Sequence, residues 1–109
     1  MLNNLGLAYR HTGNSSKARL TYEESLAIPN IKQNPGLEGV LHNNLAMTYL
    51  DMGSTDKAIQ HLKAALPLRR QARDIRGTAE TLQNLVELCN QAGDSTGAAQ
   101  YTKQLQDLM

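Results

Sequence analysis

The sequence contains no tryptophan and no phenylalanine, and its only aromatic side chains besides histidine are four tyrosines among 109 residues. A hydrophobic core must therefore be built from leucine, alanine, valine, isoleucine and methionine, which suit close packing of helices. The single cysteine, Cys89, excludes an internal disulfide and with it an oxidised, disulfide-based fold. These absences favour a helical domain in a reducing compartment.

Charge and hydropathy exclude further classes of protein. The formal net charge is +1, so no overall electrostatic bias points to nucleic acid or to an anionic membrane. The apolar runs are only a few residues long, which is too short to cross a bilayer. Asn3 and Asn4 interrupt the start of the sequence, so no secretory signal peptide is predicted. We expect a cytoplasmic protein that binds neither nucleic acid nor membrane.

A pattern that recurs every forty residues is the strongest feature of the sequence. Three copies keep this period without an insertion, and a period of this length indicates stacked repeat units. The sequence therefore predicts one array over residues 1–109, with repeats at about 1–34, 37–74 and 77–109. The residues that recur are Asn4, Asn44 and Asn84; Gly13, Gly53 and Gly93; and Ala18, Ala58 and Ala98.

Each copy has the pattern of two helices. In the second copy, Leu41, Leu45 and Tyr49 recur at helical spacing, and a glycine followed by a polar capping residue ends the first helix and begins the second. No segment alternates with period two, so no strand is predicted. Pro29 and Pro67 fall near the ends of second helices, where we expect them to kink or stop the helix. The predicted helices span about 2–12, 15–29, 37–52, 55–73, 76–92 and 95–108.

These spacings resemble the tetratricopeptide repeat, whose pattern is Trp-x2-Leu-Gly-x2-Tyr, then Ala-x3-Phe. The matching residues are Leu2, Leu5, Gly6, Tyr9, Ala18 and Tyr22 in copy one, His42, Leu45, Ala46, Tyr49, Ala58 and Leu62 in copy two, and Leu82, Leu85, Val86, Cys89, Ala98 and Thr102 in copy three. The resemblance covers nearly the whole sequence. The period of forty residues exceeds the usual value of about thirty-four, and in this the protein resembles the kinesin-light-chain-like and bacterial signalling branches.

The resemblance implies an all-α fold, a right-handed α–α superhelix of three antiparallel helix pairs whose first helices line a concave groove. It implies that this groove binds an extended peptide or a segment of a partner protein. The implied groove residues are Asn3, Asn4, Leu7, Arg10, His11, Asn43, Asn44, Met47, Leu50, Asp51, Gln83, Asn84, Glu87 and Asn90, with Val40, Glu80 and Gln91 beside them.

The recurring asparagines are unexpected inside helices, because asparagine is a poor helix former. Asn4, Asn44 and Asn84 would form a ladder of amides along the groove, and a primary amide can pair with both the carbonyl and the N–H of an extended peptide. The alternative is that these asparagines tie adjacent helices together or face water. Both interpretations are open at the level of sequence.

Charged groove positions argue against one subclass of the family. Arrays that clamp a free C-terminal carboxylate resemble one another in placing Lys and Arg along this groove. Here Arg10 is the one groove cation, and Asp51, Glu80 and Glu87 oppose it. A carboxylate clamp is therefore not expected.

Other candidate sites are weaker. Arg69, Arg73 and Arg76 share one helical face, which would either meet phosphates or, as we favour, form a solvated helix end. His11, His42 and His61 lie in different predicted helices and lack the spacing of paired metal ligands. With no nucleophile–base pair and no cofactor loop, we predict neither enzymatic activity nor a cofactor.

The last predicted helix carries an apolar stripe that no further pair covers. Solenoids need polar caps for solubility, so an uncovered end should find a partner. The pattern therefore favours an array that belongs to a longer solenoid, spaces other domains, or self-associates. The stripe consists of Tyr101, Leu105, Leu108 and Met109.

Overall fold

Six α-helices follow one another along the part of the protein that the structure describes. It is a computed structural model, and it describes the backbone of residues 2–108 and the side chains of residues 6–108. A 3-10 turn, Ile31–Gln33, lies between the second and third helices. No strand occurs among the described residues, which confirms the predicted all-α superhelix. The helices are α1 Leu2–His11, α2 Ser15–Leu26, α3 Pro35–Asp51, α4 Thr55–Gln71, α5 Ile75–Gln91 and α6 Ser95–Leu108.

The glycine in the turn inside each pair has the same conformation in all three copies, whereas a side chain caps the next helix in copies one and three but not at Ser54 in copy two. Gly13, Gly53 and Gly93 follow the first helices with φ angles of 79°, 79° and 78°, in the left-handed region that favours glycine. A capping residue begins the next helix: the Asn14 side chain accepts from the Lys17 N–H, and Asp94 accepts from the Gly97 N–H at 2.9 Å. The predicted stops and starts between paired helices are confirmed.

The end of α2 differs from the prediction, whereas the end of α4 lies close to it. Helix α2 ends at Leu26, and the backbone then uses the 3-10 turn to bury Ile31 before α3 begins. Helix α4 continues past Pro67 to Gln71, close to its predicted end at residue 73, so this proline does not stop the helix. Pro67 is exposed, whereas Leu66 and Arg69 on the opposite face are buried, so packing holds the last turn despite the missing N–H.

Aliphatic side chains form the core, as the composition predicts. The largest fully buried ones are the leucines Leu41, Leu45, Leu62, Leu82 and Leu85. Tyr101, Leu105 and Leu108 of α6 are partly buried and pack against this core, so the stripe on the last helix is less open than expected. Met109 lies outside the described residues.

The two helices of copy one come into close contact at Gly6. A Cβ atom at this position would lie 2.5 Å from Cζ of Tyr22, a side chain with no exposed surface. The equivalent pairs, one and two periods later, are Ala46 with Leu62 and Val86 with Thr102. As the residue on the first helix grows from glycine to valine, the residue on the second shrinks from tyrosine to threonine. The forty-residue period therefore predicts that complementary sizes fill the same contact in copies two and three.

We expect Gly6→Ala to lower the free energy of unfolding by about 1–3 kcal/mol, because the new methyl group overpacks the contact with Tyr22. Tyr22→Leu should also destabilise, since it leaves a void. The double variant recreates the copy-two pair and should lose less than the sum of the single variants by at least about 0.5 kcal/mol. Urea unfolding of the four proteins measures this coupling.

A matched control is Gly36→Ala, because a Cβ there would come no closer than 3.5 Å to its neighbours. We expect it to change stability by less than about 0.5 kcal/mol or to raise it slightly. Additive losses at Gly6 and Tyr22 would contradict the size complementarity.

Candidate functional site

A pocket of about 430 Å³ lies between the first helices of copies two and three. Its apolar part is formed by Leu88, which is 3% exposed, and by the partly buried Met47 and Leu50. Its polar groups are amides, a hydroxyl and one carboxylate. The lining residues are Met47 and Leu50 of α3, Thr55 at the start of α4, and Asn84, Glu87, Leu88 and Gln91 of α5.

Five residues that the sequence places in or beside the groove thus come together in this pocket: Met47, Leu50, Asn84, Glu87 and Gln91. Sequence reasoning missed Thr55 and Leu88. Leu88 follows Asn84 by one helical turn, so the helical periodicity of α5 could have predicted that Leu88 lies beside Asn84 in the groove. Thr55 gave no such indication, because it belongs to the helix behind the groove.

The charged groups nearby are mostly paired. Nε of Arg10 on α1 donates to Oδ2 of Asp51 on α3 at 2.5 Å, so the one predicted groove cation is neutralised by a predicted groove anion. Glu87 is exposed and forms no ion pair within the described part of the protein. The pocket therefore carries an unbalanced negative charge.

Asn43 does not face the groove. Its side chain is 3% exposed; Nδ2 donates to Oε1 of Glu80 at 3.1 Å, and Oδ1 accepts from the Thr81 hydroxyl at 3.5 Å. The structure thus differs from the predicted role of Asn43 as a groove residue and places it in the contact between α3 and α5. For this position, the helix-tying interpretation matches the geometry.

Arg69 completes a ring of polar contacts with these residues. Its Nη1 donates to the Gly77 carbonyl at 2.8 Å and to the Thr81 hydroxyl at 3.1 Å, and it lies 3.6 Å from Oε1 of Glu80. Arg69 is 5% exposed, so the prediction of a solvated helix end was wrong for this residue. Gly39 makes the space, because a Cβ there would lie 2.9 Å from Cγ of Arg69.

The three asparagines of the predicted ladder have different surroundings. Asn84 lines the pocket, and Asn44 is partly buried and already has a partner within the protein. The side chains of Asn4 and Asn3 lie outside the described residues, so the ladder as a whole is not tested. Among the other predicted groove residues, Leu7 is partly buried, and the exposed ones are His11, Gln83 and Asn90.

Family profiles of the tetratricopeptide repeat match residues 37–109 and, separately, residues 2–36. The chain belongs to the tetratricopeptide repeat family. No curated protein matches the sequence. Tetratricopeptide repeats are generally protein–protein interaction modules and non-catalytic scaffolds. Among the described residues, no helix of this tetratricopeptide array has the length and apolar character needed to span a membrane.

Two histidines of the tetratricopeptide array meet, although sequence reasoning treated them as separate. Nδ1 of His42 on α3 lies 3.0 Å from Nδ1 of His61 on α4, and the Tyr49 ring stacks on His61 with a centroid distance of 5.4 Å. Burial lowers the pKa of both histidines. The neighbouring His42 and Lys57 lower the pKa of His61 further, whereas Glu23 raises it. Within residues 6–108, no three His, Cys, Asp or Glu side chains are placed to hold a metal ion.

Replacing Asn43 separates its structural role from a binding role. We expect Asn43→Ala to lower the free energy of unfolding by about 1–3 kcal/mol, because it leaves a void and removes the acceptor of the buried Thr81 hydroxyl. The matched control is Gln83→Ala at the equivalent, exposed position of copy three, which should change stability by less than about 0.5 kcal/mol. Equal effects in chemical unfolding would contradict this assignment.

The histidine pair should make stability depend on pH. Because the pKa of each histidine is lower in the folded protein than its ordinary value of 6.5, the unfolded protein binds more protons. The free energy of unfolding should therefore be highest above 6.5 and fall as the pH drops below it. Urea unfolding from about pH 7.5 to 5.5 measures this slope above the range where ordinary carboxylates titrate. The variant His42→Gln with His61→Gln should flatten it, and a wild type without a slope would contradict the prediction.

Proposed function

We propose that this tetratricopeptide array is a protein–protein interaction scaffold that binds an extended peptide or a segment of a partner protein along the concave face of α1, α3 and α5. The pocket between α3 and α5 carries this proposal, because it combines an apolar part with amide, hydroxyl and carboxylate groups. Binding sites typically join such an apolar lining to a few polar groups that orient the ligand.

In this proposal the Asn84 amide pairs with the backbone of the bound segment. Met47 and Leu50 on one side, and Leu88 on the other, contact its side chains. A backbone carbonyl and N–H are present at nearly every residue, so an amide such as Asn84 supports an extended ligand of varied sequence. Specificity then comes from the side-chain contacts with Met47, Leu50 and Leu88 beside Asn84.

Asn44 and the predicted residues of copy one, Leu7, Arg10 and His11, extend the proposed path towards α1. Arg10 contributes through its ion pair with Asp51, which joins α1 to α3 and holds this face together. Asn43 is left out of the proposed contacts because it is buried, with its amide bonded to Glu80 and Thr81.

Three further assignments belong to the proposal. The forty-residue period supports the kinesin-light-chain-like and bacterial signalling branches of the family. The lone Cys89, which is buried, supports a reducing, cytoplasmic location. As the alternative function, we propose a structural segment of a longer solenoid that spaces domains or self-associates; the partial exposure of Leu105 and Leu108 on α6 supports it.

Asn84→Ala tests the proposed function directly. A displayed library of random linear peptides is first selected on the wild-type protein, and the affinity of an enriched peptide is then measured by titration calorimetry. We expect Asn84→Ala to weaken binding by about 1–3 kcal/mol, because it removes paired amide groups, while leaving stability unchanged or slightly higher.

Asn30→Ala is the matched control, since Asn30 is an exposed asparagine outside the helices of the groove, and its side chain makes no capping hydrogen bond. It should bind the peptide as the wild type does. Failure to enrich any peptide, or equal losses in the two variants, would contradict groove binding.

A further inference from the structure

We propose that the pocket between α3 and α5 takes a lysine or arginine side chain of the bound segment, so that the array selects partners with a basic residue at this place. The proposal rests on the function proposed above and adds the chemical class of residue that the pocket recognises. Charge, shape and comparison between copies each support it.

The charge of the pocket comes from Glu87 alone. Its carboxylate is exposed, and no Lys or Arg is among the lining residues. The other two acidic residues of this face are engaged: Asp51 pairs with Arg10, and Glu80 accepts from Asn43 and lies 3.6 Å from Arg69. An incoming carboxylate would meet repulsion with no compensating cation, whereas an incoming cation would find an unpaired carboxylate.

The polar groups of the pocket are arranged for a donor. Asn84, Glu87 and Gln91 follow one another at three- and four-residue steps along α5, so they share one face of the helix. The carboxylate of Glu87 can only accept hydrogen bonds, and each amide offers a carbonyl oxygen. An ammonium or guanidinium group has only donors, so every hydrogen bond that it brings finds an acceptor here.

The apolar part of the pocket suits the stem of such a side chain. Leu88 is almost fully buried, and Met47 and Leu50 are partly buried, so apolar surface lies deeper than the exposed Glu87. Lysine and arginine bury their methylene groups against such surface and keep their charge near its edge. A volume of about 430 Å³ has room for a long side chain together with adjoining backbone.

This chemistry occurs in one copy only. At the position of Glu87, copy one has Leu7 and copy two has Met47. The corresponding places earlier along the face are therefore apolar. A bound segment is expected to place its basic residue at copies two and three and apolar residues towards copy one.

Peptides that differ only at the basic residue test this inference. The enriched peptide described above is made in three forms that carry lysine, norleucine or glutamate at its basic position, and each form is titrated with the full-length wild type and with Glu87→Gln. We expect enriched sequences to contain a lysine or arginine more often than the input library. On the wild type, norleucine should weaken binding about tenfold or more, and glutamate should weaken it further.

Glu87→Gln should bind the lysine and norleucine forms nearly equally, since the charge that distinguishes them is gone. The matched control, Glu24→Gln on the exposed surface of α2, should keep the wild-type preference. Far-ultraviolet circular dichroism verifies that both variants are folded.

The outcomes separate the inference from the proposed function. If enriched peptides lack basic residues, or if norleucine binds as well as lysine to the wild type while Asn84→Ala still weakens binding, the basic-residue inference is overturned and groove binding stands. If Asn84→Ala has no effect on any enriched peptide, groove binding itself is overturned. A preference for lysine that Glu24→Gln removes would also overturn the role of Glu87, because it would reflect the overall charge of the protein.

Discussion

Close contact between the two helices of each pair is the constraint on which the rest of the structure depends. In copy one, Gly6 lets the buried ring of Tyr22 approach the first helix, and the sequence places larger residues opposite smaller ones at the equivalent positions of copies two and three. The second helices form the layer behind the first helices, and the face made by α1, α3 and α5 is held in place by that layer. A cavity or a clash inside a pair would therefore shift the helices that line the groove.

A ring of polar contacts fixes copy two against copy three. Arg69 of α4 reaches Thr81 and Glu80 of α5, and both of these contact Asn43 of α3. Buried polar groups of this kind are costly unless they are paired, so the ring specifies one arrangement of the three helices. The pocket opens between two of these helices, α3 and α5. Stability and the proposed binding site thus share a scaffold but use different residues.

Part of the candidate site could be predicted from two periodicities of the sequence, the helical turn and the forty-residue repeat. Met47, Leu50, Asn84 and Glu87 come together because the helical turn and the forty-residue repeat place them on one face. Asn43, Arg69 and the pair His42–His61 could not be assigned in this way. The side chains around these residues belong to neighbouring helices. The sequence of one helix does not indicate which of two adjacent positions a neighbouring helix will bury. Arg69 is an example. Its charge predicts an exposed side chain, yet Gly39 leaves space in which the Arg69 side chain is buried.

The sequence by itself determined the all-α fold, the paired helices and the glycine turns between them, because caps, left-handed glycines and helical periodicity act over a few residues. Only the tertiary structure decided that Asn43 and Arg69 are buried and that His42 meets His61. Adjacent residues of a helix point about 100° apart around its axis. A small rotation of one helix against its neighbours therefore exchanges a groove position for a buried one, and that rotation is set by the packing of the whole array.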